Sequence, residues 1–348
     1  MKYLPKGAWI TVNRACNFRC QWCYGVSSEF SSNSNLTYET AKDIVYFLKD
    51  LDIKSLIIIG GEPTVWKDLF RFNDLCNSLL IKTTLVTNGY RFNSESFWLE
   101  YLKHPNSQVS TSLKSYDEKS SLLITKVEDF KGINNGIRKV NSKFKGHVTI
   151  VYSTLIEGRL LDTVSLAMDL GATSVSVSPC TPVSENGKFS APFTVEYDKM
   201  VLEISTNYKK IVDLTKGKIS FSLKTPLCIW PEDFIQTIIA QKQLNTVCQF
   251  QRRSGIVFDT DGKIVLCNSM LEYPVGKYGV DFNDRESFLK ILNSEEVNGI
   301  YNHINSYPSK LCMECNLFSR CRGGCPIMWT VFNAEEVISS AKKRKGGG

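Results

Sequence analysis

Three cysteines, Cys16, Cys20 and Cys23, fall within eight positions of "RACNFRCQWCYG", residues 14–25. Thiolates at spacings of four and three residues let one loop wrap a compact inorganic core. A structural zinc site takes four ligands. No fourth Cys or His lies nearby, and the next cysteine, Cys76, is far along the chain. A 4Fe–4S cluster held by three cysteines leaves one iron open, much as a catalytic zinc keeps one position unfilled, and an open iron can bind a substrate. A zinc knuckle that recruits a distant ligand is the other reading of this spacing.

Two more stretches have the composition of a site. "GGEP" (Gly60, Gly61, Glu62, Pro63) carries two glycines that allow a ligand to approach the backbone, whose carbonyls can accept from an ammonium group. By itself it could equally be a tight turn. Near the far end, Cys312, Cys315, Cys321 and Cys325 form CxxCxxxxxCxxxC, and Cys248 and Cys267 lie upstream, with Gly262 completing GxxxxC. A segment so rich in cysteine and so short buries little apolar surface and folds around metal. The chain has twelve cysteines and only three histidines, His104, His147 and His303, which are scattered and read as ordinary residues. Clustered cysteines in a long chain favour metal ligation over a disulfide framework. Cys76 lies beside Leu75 and Leu79 on a predicted helix and reads as core.

The elements that must position these residues alternate. "AWITVN", "SLIIIG", "KTTLVT", "QVSTSL", "VTIVYS" and "TSVSVS" read as strands. Between them lie helical stretches. In "TYETAKDIVYFLKDL", Ala41, Ile44, Val45 and Leu48 recur at helical spacing, and Thr37 is a natural N-cap. Six β/α units in series predict an α/β fold, a parallel sheet with outer helices that closes only partly into a barrel. Active sites in such sheets lie at the C-terminal strand ends. The three-cysteine loop follows the first strand and GGEP follows the second. A helix near 195–212 ends this pattern, "FDTDGKIVLCN" reads as a hairpin turning at Asp261-Gly262, and a boundary is placed near residue 215.

Composition narrows the classes further. The 348 residues allow one large domain plus a smaller one. The net charge of +7 is scattered apart from "KKRK" at 342–345, which reads as a solvated terminus. No basic stripe with interleaved aromatics appears, so nucleic-acid binding is not expected. No apolar run approaches the roughly 18 residues of a membrane span. "MKYLPKGAWITVN" has no signal-peptide core, so a cytoplasmic location is expected.

The pairing of CxxxCxxC with GGEP on the next β/α unit resembles the radical SAM superfamily. The resemblance covers about 1–215. It implies that Cys16, Cys20 and Cys23 hold a 4Fe–4S cluster whose open iron chelates S-adenosylmethionine, and that Gly60, Gly61, Glu62 and Pro63 contact the methionine amine. Trp22, Tyr24 and Asn88 (in "VTNG") match at family-typical places. "STSLKS" resembles the family's "SLDG" only as far as Ser112, another candidate cofactor contact. The six downstream cysteines resemble a SPASM domain with two auxiliary 4Fe–4S clusters. By that resemblance Cys248, Cys267 and Cys325 help hold one cluster, and Cys312, Cys315 and Cys321 hold the other. No cysteine follows Cys325, although this family usually has one there. The second auxiliary cluster then has an open iron, takes a non-cysteine ligand such as Glu335 or Glu336, or is unstable, and Cys228 is either a fourth ligand for the first or a buried free thiol. The implied division is a radical SAM partial (β/α)6 TIM-like barrel over 1–215 and a SPASM domain over 216–348.

The implied activity is hydrogen abstraction by a 5′-deoxyadenosyl radical. SPASM-type enzymes often act on peptides, so maturation of a ribosomally made peptide is expected, with net oxidative crosslinking through a C–C bond or a thioether. The partners implied are the peptide, an external electron donor such as flavodoxin or ferredoxin, and optionally a separate leader-recognition protein, since the first strand begins near residue 8. Alternatives are a peptide epimerase, an oxidase like the formylglycine-forming sulfatase maturases, and a non-enzymatic iron–sulfur electron carrier. Cys180, just past the sixth strand, is either packing or a hydrogen-atom donor.

Overall fold

The computed structural model describes residues 3–25, 34–246 and 248–346. Strands and helices alternate through its first half: β1 (Gly7–Thr11), α1 (Tyr38–Asp50), β2 (Ser55–Ile59), α2 (Leu69–Ser78), β3 (Lys82–Thr87), α3 (Glu95–Tyr101) and β4 (Gln108–Leu113). Two helices, α4 (Glu118–Thr125) and α5 (Phe130–Lys143), lead to β5 (His147–Tyr152), α6 (Leu160–Asp169) and β6 (Ser174–Pro179). A small hairpin, β7 (Val183–Glu185) with β8 (Lys188–Ser190), precedes α7 (Tyr197–Thr215) and β9 (Ile219–Phe221). The six expected strands and the helix near 195–212 are all present.

Local chemistry accounts for these elements. Thr37 caps α1, its hydroxyl accepting from the Thr40 N–H at 3.2 Å. Ala41, Ile44, Val45, Phe47 and Leu48 form the buried face of that helix. In β5, Val148, Ile150 and Tyr152 are fully buried while His147, Thr149 and Val151 are partly exposed, the period-2 pattern of a strand. In β6, Val175 and Val177 are buried and Ser174, Ser176 and Ser178 alternate with them. Valine and isoleucine pack on the outer helices. Threonine and serine are left for the inner, concave face.

One ten-stranded sheet runs in the order β12-β11-β10-β1-β2-β3-β4-β5-β6-β9. Here β10 is Gly255–Phe258, β11 is Lys263–Val265 and β12 is Gly276–Lys277. β1 to β6 are parallel neighbours, and β9 extends them in parallel beside β6. β10 adds in parallel on the other side of β1, with Ala8 opposite Ile256. The parallel array is therefore longer than the six strands predicted. The sheet ends in two edges, so the barrel is partial. β10 and β11 form the expected antiparallel hairpin, with Gly262 at φ +80° in its turn. Strands beyond residue 215 thus join both ends of the sheet.

Helix Ala334–Gly346 carries the basic run. The side chains of Arg344 and Lys345, and residues 347–348 of the terminal glycines, lie outside the described residues. Among the described residues no helix is long and apolar enough to cross a membrane.

Candidate active site

The loop after β1 is stitched to the loop after β2. The Gly61 N–H donates to Asn13 O and the Glu62 N–H to Ala15 O, both at 2.8 Å, and Asn13 Nδ2 donates to Glu62 O at 3.0 Å. This contact explains the two glycines. A Cβ on Gly61 would collide with the carbonyls of Arg14 and Ala15, and one on Gly60 with Asn13. What approaches the Gly60–Gly61 backbone is the cysteine loop itself.

Glu62 is buried, and its carboxylate ties strand ends together. Oε1 accepts from Thr64 N (3.1 Å), Thr64 Oγ1 (2.6 Å) and Thr87 Oγ1 (2.7 Å), while Oε2 accepts from Asn88 N (2.8 Å). The carboxylate therefore fixes the end of β3 against the end of β2. Asn88 passes the restraint on, with Nδ2 donating to Asn17 Oδ1 at 2.8 Å inside the cysteine loop. Replacing Glu62 with Ala strands these donors in the interior. Since each buried unsatisfied donor costs about 1–3 kcal/mol, the expected loss of unfolding free energy is about 3 kcal/mol or more, read by denaturant unfolding of the metal-free protein. An unchanged midpoint would show that Glu62 has no such bracing role.

These loops wall a cavity of about 430 Å³ at the C-terminal strand ends. Cys16, Cys20, Cys23, Trp22, Tyr24, Gly60, Gly61, Glu62, Asn88 and Ser112 all line it. Pro63 does not; it is buried at the start of the adjoining turn Pro63–Val65. Of the downstream cysteines, Cys267 reaches the cavity, as does Cys180. None of the three histidines does. A larger cleft of about 1040 Å³ lies elsewhere, lined by Tyr3, Lys6, Arg253 and Arg322 among others; it has no thiol, and the chemistry belongs to the smaller one.

Several lining residues were not anticipated. Thr149, Val151 and Ser178 lie on the inner face of β5 and β6, and strand alternation was the signal that could have found them. Lys114 and Lys224 supply positive charge. Lys114 Nζ donates to Ser112 Oγ at 2.6 Å, so the lysine that departs from the "SLDG" pattern engages the serine that keeps it.

The thiols fit an iron–sulfur centre. Burial pushes the Cys16 thiol up to about 12, with the nearby Glu62 charge adding to the shift. Burial likewise raises Cys20 to about 11 and lifts Cys23, while Lys114 opposes both shifts. Buried thiols of this kind are protonated at neutral pH and give up their protons when a cationic core binds. The Phe18 N–H donates to Cys16 Sγ at 3.3 Å, the kind of bond that tunes cluster thiolates. Among the described residues no three His, Cys, Asp or Glu side chains are grouped to hold a single metal ion.

The C-terminal cysteines fall into two groups. Burial raises Cys325 to about 12, opposed by Lys224 and reinforced by Cys267 and Cys248. Cys312 is raised by burial and then by its neighbours Cys321 and Cys315. The strip Lys224–Thr225 binds the second motif: Cys325 N donates to Lys224 O at 2.8 Å, and Gly324, at φ +81°, packs where a Cβ would strike the Thr225 backbone.

Arg14, two residues before Cys16, reaches across to the hairpin. Its guanidinium contacts both carboxylate oxygens of Asp259 at 2.5 Å, with both side chains largely buried.

Residues 10–167 match the Radical SAM superfamily. That stretch of the chain is thus a radical SAM region. Its cofactors are accordingly a 4Fe–4S cluster and S-adenosylmethionine. Among solved structures, Streptococcus suis SuiB bound to precursor peptide SuiA shares the fold at TM-score 0.70 and 17% identity, over 96% of this chain and 76% of that one. Native anSMEcpe with bound AdoMet does so at TM-score 0.71 and 15% identity, over 97% of this chain and 95% of that one. The fold likeness therefore runs through the cysteine-rich C-terminal region. Curated relatives include a probable GTP 3',8-cyclase of Thermococcus kodakarensis, 28% identical over 165 residues, 47% of this chain and 53% of that protein. The GTP 3',8-cyclase of Pasteurella multocida is 27% identical over 135 residues, 37% of this chain and 39% of that protein. The chain thus spans about half the length, or less, of these two curated relatives.

Proposed function

We propose that this radical SAM enzyme oxidatively crosslinks a ribosomally made peptide, forming a C–C bond or a thioether. The observation that carries this reading is that Cys267 lines the same cavity as Cys16, Cys20 and Cys23. A centre held in part by Cys267 would stand beside the substrate, where an electron leaves after hydrogen abstraction. Cys16, Cys20 and Cys23 hold the first 4Fe–4S cluster. Trp22, Tyr24, Gly60, Gly61, Glu62, Pro63, Asn88 and Ser112 shape or brace the S-adenosylmethionine pocket. When bound there, the cluster supplies the electron that cleaves S-adenosylmethionine to a 5′-deoxyadenosyl radical. Residues 1–215 carry this chemistry, and residues 216–348 carry two auxiliary 4Fe–4S centres on Cys248, Cys267 and Cys325 and on Cys312, Cys315 and Cys321. Val86, Val151 and Phe18 give the cavity an apolar share of wall that excludes water. SuiB was solved with precursor peptide SuiA and anSMEcpe also with AdoMet and the Kp18Cys peptide, which supports a peptide substrate here. An external donor such as flavodoxin or ferredoxin supplies the electron.

The test is an anaerobic assay with S-adenosylmethionine, a reductant and short candidate precursor peptides sought in the genes flanking this one. The expected outcome is 5′-deoxyadenosine together with a peptide lighter by two hydrogens. An electron carrier would form no 5′-deoxyadenosine. A purine nucleotide is the second reading, favoured by the curated relatives and by Lys114 and Lys224, whose charges suit phosphate. Turnover of GTP with no change in the peptide would replace the first reading with the second.

Cys180 separates crosslinking from epimerisation. An epimerase needs a hydrogen-atom donor opposite the abstraction, whereas a thiol within reach would quench a radical that must form a new bond. Cys180 is buried, its thiol is raised to about 11 by burial, and it forms part of the cavity wall with its S–H directed to Thr181 O at 3.8 Å, which engages it as wall instead of as a donor to substrate. The expected result is that Cys180→Ala still yields the lighter product. A peptide that gains a single deuterium in deuterated water, with the gain lost in Cys180→Ala, would make Cys180 the donor and the enzyme an epimerase.

A further inference from the structure

The sequence offers Cys228 as a partner for Cys248, Cys267 and Cys325, but the structure sets it elsewhere. Cys228 stands in the short turn Leu227–Ile229. The first N–H of that turn, Leu227 N, donates to Cys321 Sγ at 3.2 Å. Consecutive Cα atoms lie about 3.8 Å apart, so Cys228 begins one residue from the Cys321 thiol. Cys321 belongs with Cys312 and Cys315, whose charges act on one another. The packing divides the same way. Cys228 and Cys321 pack on the core that contains Leu227, Ile229 and Ala341, whereas Cys248, Cys267 and Cys325 pack on the other large core.

We propose that Cys228 is the fourth protein ligand of the centre built on Cys312, Cys315 and Cys321; this rests on the auxiliary-centre reading above. The position left without a cysteine after Cys325 is thereby filled from upstream, by a turn that the N–H to sulfur bond already docks on the group. Cys228 would bind as a thiolate, releasing its proton to solvent. The rival oxygen ligands are engaged elsewhere. Glu335 Oε2 accepts from Lys310 N at 3.3 Å and Oε1 from Ser339 Oγ at 3.2 Å, and Glu336 Oε1 accepts from Asn333 Nδ2 at 3.0 Å. Both carboxylates are exposed and hard, while a partly buried thiolate is the soft donor that iron–sulfur cores select. The centre on Cys248, Cys267 and Cys325 then keeps three protein thiols.

Electron paramagnetic resonance of the reduced, anaerobically reconstituted full chain tests this. Three reference proteins are needed: the wild type, Cys312→Ala/Cys315→Ala/Cys321→Ala, and Cys248→Ala/Cys267→Ala/Cys325→Ala. Each triple variant identifies one auxiliary signal by its loss. Cys228→Ala is expected to shift or abolish the signal lost in the Cys312 triple variant, and to cause no further change when combined with it. Cys228→Ser serves as the milder substitution if Cys228→Ala does not fold. A change confined to the signal lost in the Cys248 triple variant, or no change in either signal, overturns the assignment. A wild type with no auxiliary signal and iron sufficient for one cluster would instead overturn the auxiliary-centre reading itself.

Discussion

Replacing Cys16, Cys20 and Cys23 together with Ala is expected to abolish formation of 5′-deoxyadenosine, to below detection by chromatography, while both auxiliary signals persist. The loop does not depend on these side chains for its place. Backbone bonds hold it: Gly61 N to Asn13 O and Glu62 N to Ala15 O on one side, and Arg19 N to Thr125 O at 2.8 Å on the other. The auxiliary cysteines are carried by separate segments from Cys228 onward. Loss of the three thiols therefore removes the site of reductive cleavage and leaves the fold to load the other centres. A triple variant that still makes 5′-deoxyadenosine would show that these cysteines do not carry the chemistry.

The second large effect concerns stability. Arg14→Ala should lower the unfolding free energy of the metal-free protein by about 3–5 kcal/mol, because it leaves the Asp259 carboxylate buried without its partner. Among the described residues, the Thr260 N–H, at 2.7 Å to Oδ1, remains as a hydrogen-bond donor to Asp259, with the Lys263 charge nearby. The apolar pair Arg14→Met/Asp259→Leu should recover most of the loss, since a buried ion pair contributes little beyond a well-packed apolar pair. Denaturant unfolding of the two variants and the parent reads both effects. Equal midpoints for Arg14→Ala and the parent would mean that water already reaches the pair.

Much of the catalytic face was legible because it is local. Six strands were readable from β-branched runs, and α1 from its period and its Thr37 cap, since neighbouring residues determine both. The cysteine loop and Gly60–Glu62 were readable because short spacing and residue type carry their chemistry. What escaped depends on distant pairing. β10 sits beside β1, yet nothing within "GIVF" says which strand it will join. Arg14 and Asp259 are 245 residues apart, and neither is unusual in its own stretch. Lys224 and Cys228 lie outside every short pattern and acquire meaning only when the second cysteine motif folds back onto them. The glycines of GGEP were noticed for the right reason, close backbone approach, but the approaching group is another loop of the same chain.

The position of β1 between β2 and β10 has a consequence for how the chain is made. Among the strands of this sheet β1 comes first in sequence, and one of its two neighbours, β10, is synthesised more than two hundred residues later. Until then one edge of β1 presents unpaired N–H and C=O groups to whatever it meets. The loop bearing Cys16, Cys20 and Cys23 grows directly from that edge, and its Arg14 waits for the same late hairpin to deliver Asp259. Until β10 and its hairpin arrive, the cysteine loop therefore lacks its fastening on that side. Such long-range closure is slow to form.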